Sequence, residues 1–218
     1  MTFRQIRDSA EISAYIQKAD EAMREIGYTE HSFPHVRKVA QGAAAILTEL
    51  GFPERTVELA RIAGYMHDIG NMVNRHDHAH SGATLAFEIL RRLGMEPEEV
   101  ASITSAIGNH DEETGAPINA VAAALILSDK CDVRRSRVRD NKNLAMDIHD
   151  RVNYAVESGA LDLDSAEGIA ALRLEIDTNQ CAVMDYFEIF LTRMLLCRRA
   201  AEYLKLRFKL VINGVELL

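Results

Sequence analysis

An adjacent pair, His67 and Asp68, sits inside the glycine-bounded stretch GYMHDIG at residues 64–70. His35 lies upstream of it, and His80, His110 and Asp129 follow downstream. Imidazole nitrogens and carboxylate oxygens ligate Zn, Fe, Mn and similar divalent ions, and four of one with two of the other can hold two ions. A lone histidine on a helix is more often a surface or satisfied core residue than a ligand. The pair at 67–68 differs because an unpartnered carboxylate within an apolar helix is costly to bury. Neighbouring residues on a helix point about 100° apart. The pair can therefore bracket one ion only if the helix end aims at it, or the carboxylate can bridge two. Gly70 lets the chain turn away and leave such a centre open.

These groups must be held by the elements around them. Residues 6–26 carry apolar side chains at Ile12, Ile16, Ala19, Met23 and Ile26, steps that mark one helical face. Ser32-Phe33-Pro34 opens a second helix that runs to about residue 50 and is closed by Gly51, and Pro53 starts the next, which ends at Gly70. A polar loop over 71–78 follows, then helices over about 81–93, 97–109, 120–133 and 143–157. His35 and His80 thus fall at helix starts, His110 at a helix end and Asp129 well inside a helix. From Ser158 the pattern changes. Residues 172–176 alternate apolar and polar as a half-buried strand does, 181–204 has helical spacing, and 205–218 alternates about Asn213-Gly214, a type I′ hairpin signal. The predicted fold is mainly α: a helical bundle over 1–160, with a small C-terminal α+β element over 161–218, a helix and antiparallel strands, packed on the same domain.

With 218 residues, 48% of them hydrophobic, the chain is long enough to bury a full core. A net charge of −8 argues against nucleic acid as a partner. No apolar run approaches the roughly 20 residues that span a bilayer, so no membrane partner is expected either. Cys131, Cys181 and Cys197 show no metal-type spacing and are odd in number, which fits reduced thiols in a cytoplasmic protein.

The stretch GYMHDIG resembles the signature of the HD-domain superfamily of metal-dependent phosphohydrolases, whose H…HD…D pattern holds a divalent metal. His35, His67-Asp68 and Asp129 match in order. The subset with two metals adds two histidines before the last Asp, and His80 and His110 fall where those are expected. The resemblance spans roughly residues 30–135 and implies an HD-type helical bundle with His35, His67, Asp68, His80, His110 and Asp129 as ligands of two divalent ions. Fe is the first expectation, with Mn, Zn, Mg or Ni as alternatives. Where the family often has Lys after HDIG, this chain has Asn71, which removes one phosphate contact. The cyclic-dinucleotide-cleaving branch would have Gly-Tyr-Pro at 115–117, but here the residues are Gly115-Ala116-Pro117.

His78 is only two residues from His80 and is the alternative ligand. The loop around it (His76, Asp77, His78) reads otherwise as solvated polar chain. His31 and His149 read as surface residues, and Asp132 as helix surface. A cationic run, Lys130, Arg134, Arg135, Arg137 and Arg139, follows Asp129. Arginine suits bidentate phosphate contact, so Lys130 and Arg134 are the expected substrate contacts, with the later arginines past the helix end and tolerant of change.

The expected function is hydrolysis of a nucleotide or other small phosphoester through a metal-activated water, with Asp68 as the catalytic carboxylate. Alternatives are a di-iron oxygenase of the inositol-oxygenase kind, which would use the same ligands for O₂, and a non-catalytic nucleotide-binding sensor. A homodimer stays open.

Overall fold

The computed structural model describes residues 1–139 and 148–217. Helix α1 (Phe3–Arg7) starts at a Thr2 capping box, and α2 (Ala10–Glu25) starts at Ser9, whose hydroxyl accepts from the Ile12 amide. The apolar spacing over 6–26 therefore belongs to two helices, divided where Ser9 offers a new cap. Next come α3 (Phe33–Glu49), α4 (Glu54–Met66), a 3₁₀ turn (Ile69–Met72), α5 (His78–Arg92), α6 (Pro97–Gly108) and α7 (Ala120–Lys130). Every α7 residue from Val121 to Lys130 is buried. A helix apolar on all sides belongs in the middle of a bundle, and α3, α4, α6 and a later helix pack around it.

After α7 the chain forms a short 3₁₀ turn (Arg135–Arg137). Then follow α8 (Ile148–Ala155), β1 (Val156–Asp164), β2 (Ile169–Ile176), α9 (Val183–Tyr203), β3 (Arg207–Ile212) and β4 (Val215–Glu216). The helix expected over 143–157 lies outside the described residues up to 147, and α8 ends two residues early. The chain then becomes a strand that runs across residue 160, where the helical part was expected to stop. Strand β1 is mostly exposed along the sheet edge, so its sequence carries little of the apolar alternation that reveals a strand. The sheet order is β1-β2-β3-β4, antiparallel at both ends but parallel between β2 and β3. The expected antiparallel sheet is thus mixed. Helix α9 connects β2 to β3, and such a crossover brings the chain back parallel where a tight turn cannot. The β3–β4 hairpin turns at Asn213 and Gly214, both with positive φ (49° and 76°), as expected of a type I′ turn. One cluster of buried apolar side chains runs from Ile6 to Ile212, so helices and sheet share a core. Among the described residues no helix is long and apolar enough to cross a membrane.

The packing of α3 on α4 fixes the distance between His35 and the His67–Asp68 pair. Gly64 makes it close: a Cβ there would lie 2.8 Å from Ala40 Cα and 2.9 Å from its nitrogen. Backbone cannot yield as a side-chain tip can. Gly64→Ala should therefore lose about 1–3 kcal/mol of stability, read as a lower urea midpoint at unchanged slope. Gly108→Ala, whose new methyl would meet Ala83 Cβ at an ordinary 3.4 Å, should leave the midpoint near wild type.

Candidate metal centre

Helix α4 ends at Met66. His67 keeps helical angles (φ −57°, ψ −35°) as its cap, and Asp68 turns out of the helix (φ −96°, ψ 2°). The pair therefore sits on a helix end aimed at the bundle interior. His35 faces it from the first turn of α3, His78 from the first turn of α5, His110 from just beyond α6, and Asp129 from the last turn of α7. All six are buried. At Gly70 a Cβ would run into the His78 carbonyl and the Gly82 amide nitrogen, so only glycine lets the start of α5 lie this close to the HD turn.

The two oxygens of Asp68 face different imidazoles. Its Oδ2 lies 3.2 Å from His67 Nε2 and 3.6 Å from His35 Nε2. Asp129 Oδ1 joins the same group, 3.4 Å from His35 Nε2 and 3.6 Å from His67 Nε2. The other oxygen, Asp68 Oδ1, faces His78 Nε2 at 3.7 Å and His110 Nε2 at 3.9 Å. Most of these separations are too long for strong hydrogen bonds. They do suit atoms that surround one ion: ligands about 2.1 Å from a metal lie roughly 3.0–3.5 Å from each other. Two groupings, His35–His67–Asp129 and His67–Asp68–His110, have ligand atoms within 4.8 Å of one another.

Each imidazole is oriented from behind. Nδ1 of His67 donates to the Gly64 carbonyl (2.9 Å), that of His110 to Ile107 (2.6 Å) and that of His78 to Arg75 (3.1 Å), while Nδ1 of His35 meets Asp132 Oδ2 at 2.8 Å. With Nδ1 holding one proton, every Nε2 points inward, where a bound ion would take the place of any second proton. This is how metal-binding histidines are usually held. The Nε2 atoms of His35 and His67 are buried with no hydrogen-bond partner, and those of His78 and His110 face each other at 3.2 Å. Inward lone pairs beside two carboxylates are a donor set that fits divalent ions. Asn71 orients the Asp68 carboxylate, its Nδ2 donating to Asp68 Oδ1 at 2.9 Å.

Burial opposes ionising Asp68 and Asp129, yet His67 beside the first and Lys130 beside the second hold both carboxyls well below the usual range. Burial likewise opposes protonating His67, but Asp68 and Asp129 overcome it and raise that imidazole to about 10. Burial pushes His78 and His110 down. The half of the site around Asp129 thus attracts positive charge, and the outer histidines stay neutral donors.

A small cavity of about 20 Å³ opens on this cluster, with Arg75, Lys130, Arg137 and Arg193 in its wall. Lys130 Nζ lies 2.9 Å from Asp129 Oδ2 and 2.8 Å from Glu112 Oε2.

Several expectations change here. His80 points away from the cluster: its side chain is 59% exposed and its nearest carboxylate is Asp77, at 3.5 Å. Helix α5 starts at His78 rather than near residue 81. Positions 78 and 80 are then about 200° apart around the helix, so when His78 faces inward His80 must face out. His76 and Asp77 are exposed and pair with each other at 2.8 Å. The His149 side chain lies outside what is described. His31 is buried rather than on the surface, its ring edge-on to His35 at 5.7 Å. Asp132 is also buried, beyond the end of α7, and accepts from Arg134 Nε at 3.0 Å besides meeting His35. Arg134 spends its other contacts on Glu30 and Ser136 and does not line the cavity. Arg137, expected past the helix end, is buried and does line it. Arg139 is tied to Asp20. No spacing rule could find Arg75, Arg137 or Arg193, because each reaches the cavity only through tertiary packing.

A family model described as "HD domain" matches residues 33–151, more than half of the chain. The chain belongs to the HD domain family. Every residue of the buried cluster falls inside this match, whereas β1 to β4 and α9 lie beyond it. Among solved structures, a crystal structure described as a predicted HD superfamily hydrolase from an uncultured Thermotogales bacterium is similar to this HD protein. They share 24% identity over 57% of this chain and 67% of that one, with a TM-score of 0.46. No curated protein matches the sequence significantly.

The geometry separates His78 from His80 by experiment. His78→Ala should lower the metal content of the purified protein, measured by mass spectrometry of the eluted metal, while His80→Ala should leave it at the wild-type value. Asp132→Asn keeps the shape but weakens the acceptor behind His35, and should reduce metal affinity by about 10- to 100-fold. Equal metal content in the two histidine variants would contradict this assignment.

Proposed function

We propose that this HD protein is a metal-dependent phosphohydrolase that cleaves a nucleotide or other small phosphoester at the centre formed by His35, His67, Asp68, His78, His110 and Asp129. The observation that carries the reading is the split carboxylate of Asp68, one oxygen toward each histidine group, with a cationic wall opposite. Two divalent ions bound there would supply Lewis acidity and an acidified water nucleophile for in-line attack on phosphorus.

The residues of the chain support that chemistry in distinct ways. Asn71 fixes the rotation of the Asp68 carboxylate, so its two oxygens stay divided between the two sides. Lys130, buried between Asp129 and Glu112, keeps its proton because those carboxylates outweigh the effect of burial. It therefore places a fixed positive charge beside the position where negative charge grows in the transition state. The guanidiniums stand at the approach to the site, where paired N–H donors suit the oxygens of a phosphorylated substrate, a geometry a lysine cannot reproduce. Burial of the whole cluster excludes bulk water and strengthens each of these interactions.

Phosphate release from a panel of nucleotides and small phosphoesters, with Mn, Fe, Zn or Mg supplied and oxygen removed, tests the reading. Release should proceed without O₂. Asp68→Ala should fall to the uncatalysed rate while keeping the helical circular-dichroism signal, since Leu59, Ile62 and Met66 still anchor α4 in the core. Turnover that requires O₂ and releases no phosphate would overturn it.

A further inference from the structure

Two cavities meet at a ring of guanidiniums. The inner one opens on the ligand cluster. The outer one, about 230 Å³, is walled by Tyr28 and Phe190 among others, and Arg75, Arg137 and Arg193 line both. They form the neck between the two.

Arg137 is 94% buried by its 6% exposure, yet its hydrogen bonds go only to backbone carbonyls, Nε to Glu30 at 3.1 Å and Nη1 to Asp132 at 3.2 Å. Among the described residues no carboxylate lies within ion-pair distance of it. Arg75 is similar: it stacks over the Tyr28 ring at 5.4 Å, and its Nη1 approaches only Asn71 Oδ1 (3.4 Å) and His78 Nε2 (3.3 Å). Arg193 stacks over Phe190 at 4.4 Å and reaches Glu112 Oε1 at 3.2 Å, leaving its buried Nε without a partner. A buried guanidinium with no carboxylate in contact is unfavourable unless an anion completes it. Arg137 is such a group, and the half-buried Arg75 beside it likewise has no ion-pair partner among the described residues.

One phosphoryl group does not account for all three. At the ligand cluster such a group would already be met by the divalent ions the site fits and by Lys130. The inner cavity is small, about 20 Å³, so whatever is bonded to a phosphoryl group at the cluster must extend toward the neck.

We propose, resting on the phosphohydrolase reading, that Arg75, Arg137 and Arg193 form a subsite for a second phosphate of the substrate. The molecule hydrolysed then carries at least two phosphates, one on the metals and one at the neck, with the remainder in the outer cavity between Tyr28 and Phe190. Arg193 and Phe190 lie on α9, beyond the matched residues 33–151, so the C-terminal helix supplies part of the specificity.

Non-hydrolysable probes separate the subsites. Binding of methylenediphosphonate and methylphosphonate to the full-length protein is measured by calorimetry, in the metal-loaded and the metal-depleted forms. The diphosphonate should bind at least about tenfold more tightly than the monophosphonate in both forms, because the preference comes from arginines that remain when metal is removed. Arg137→Gln and Arg193→Gln should each remove about tenfold or more of the diphosphonate affinity, with methylphosphonate affinity changed by less than about threefold. Arg193 lines the cavity wall, so its variant keeps the test open should Arg137→Gln fail to fold. Equal affinity for the two probes, or equal losses of both on substitution, would mean that the arginines grip a single phosphoryl group. That result overturns the second subsite and leaves the phosphohydrolase reading standing. Failure of both probes to bind the metal-loaded protein would overturn both.

Discussion

Two ionised carboxylates, Asp68 and Asp129, are buried together in the interior of a helical bundle. Carboxylates there are unfavourable by several kcal/mol each unless positive charge and hydrogen bonds surround them, and much of the local structure answers that need. Four imidazoles present their Nε2 atoms to the pair, Lys130 closes on Asp129, and Asn71 donates to Asp68. The arrangement still leaves buried nitrogens of His35 and His67 without partners. An assembly this close to neutral, with lone pairs converging, gains more from divalent ions than from further protons, since a proton satisfies one lone pair and an ion several.

The fold brings these groups together with helix ends rather than helix faces. Residues from five helix termini meet at the cluster, which lets adjacent residues such as His67 and Asp68 both face it although mid-helix they would diverge. Close backbone approach sets the distances. Gly64 brings α4 against α3 and thereby His67 toward His35, and Gly70 admits the start of α5 and thereby His78. Behind the clustered imidazoles lies a further layer, the Gly64 and Ile107 carbonyls and the Asp132 carboxylate, which fixes ring orientation. Asp132 is itself held by Lys38 at 2.8 Å and by Arg134. Arg134 thus holds the carboxylate behind His35 and stays out of the cavity wall.

What could be read from the sequence follows from how local each signal is. The HD pair, His35 and Asp129 stand in an ordered motif, and the helices bearing them have strong apolar periodicity, so the bundle and those positions were legible. The choice between His78 and His80 depended on where α5 begins. A polar loop that passes into a helix through Asp77, in the left-handed conformation with φ 58°, gives no clear start signal. His31, Asp132 and Arg137 looked like surface residues because their neighbours are polar, and they are buried only because other elements fold over them. Strand β1 is an edge strand with few buried side chains, and the parallel pairing of β2 with β3 depends on α9 crossing over, which no local pattern encodes. Arg75 and Arg193 lie 118 residues apart, by their numbers, yet line the same cavity.

The central claim is that Asp68 divides its two oxygens between two metal positions. Anomalous diffraction from crystals of the metal-loaded protein, recorded at the absorption edge of the bound metal, tests it directly. The account predicts two peaks about 3.5–4 Å apart, one against His35, His67 and Asp129, the other against His78 and His110, with one Asp68 oxygen on each. A single peak bound by both Asp68 oxygens, with His78 and His110 unligated, would contradict it.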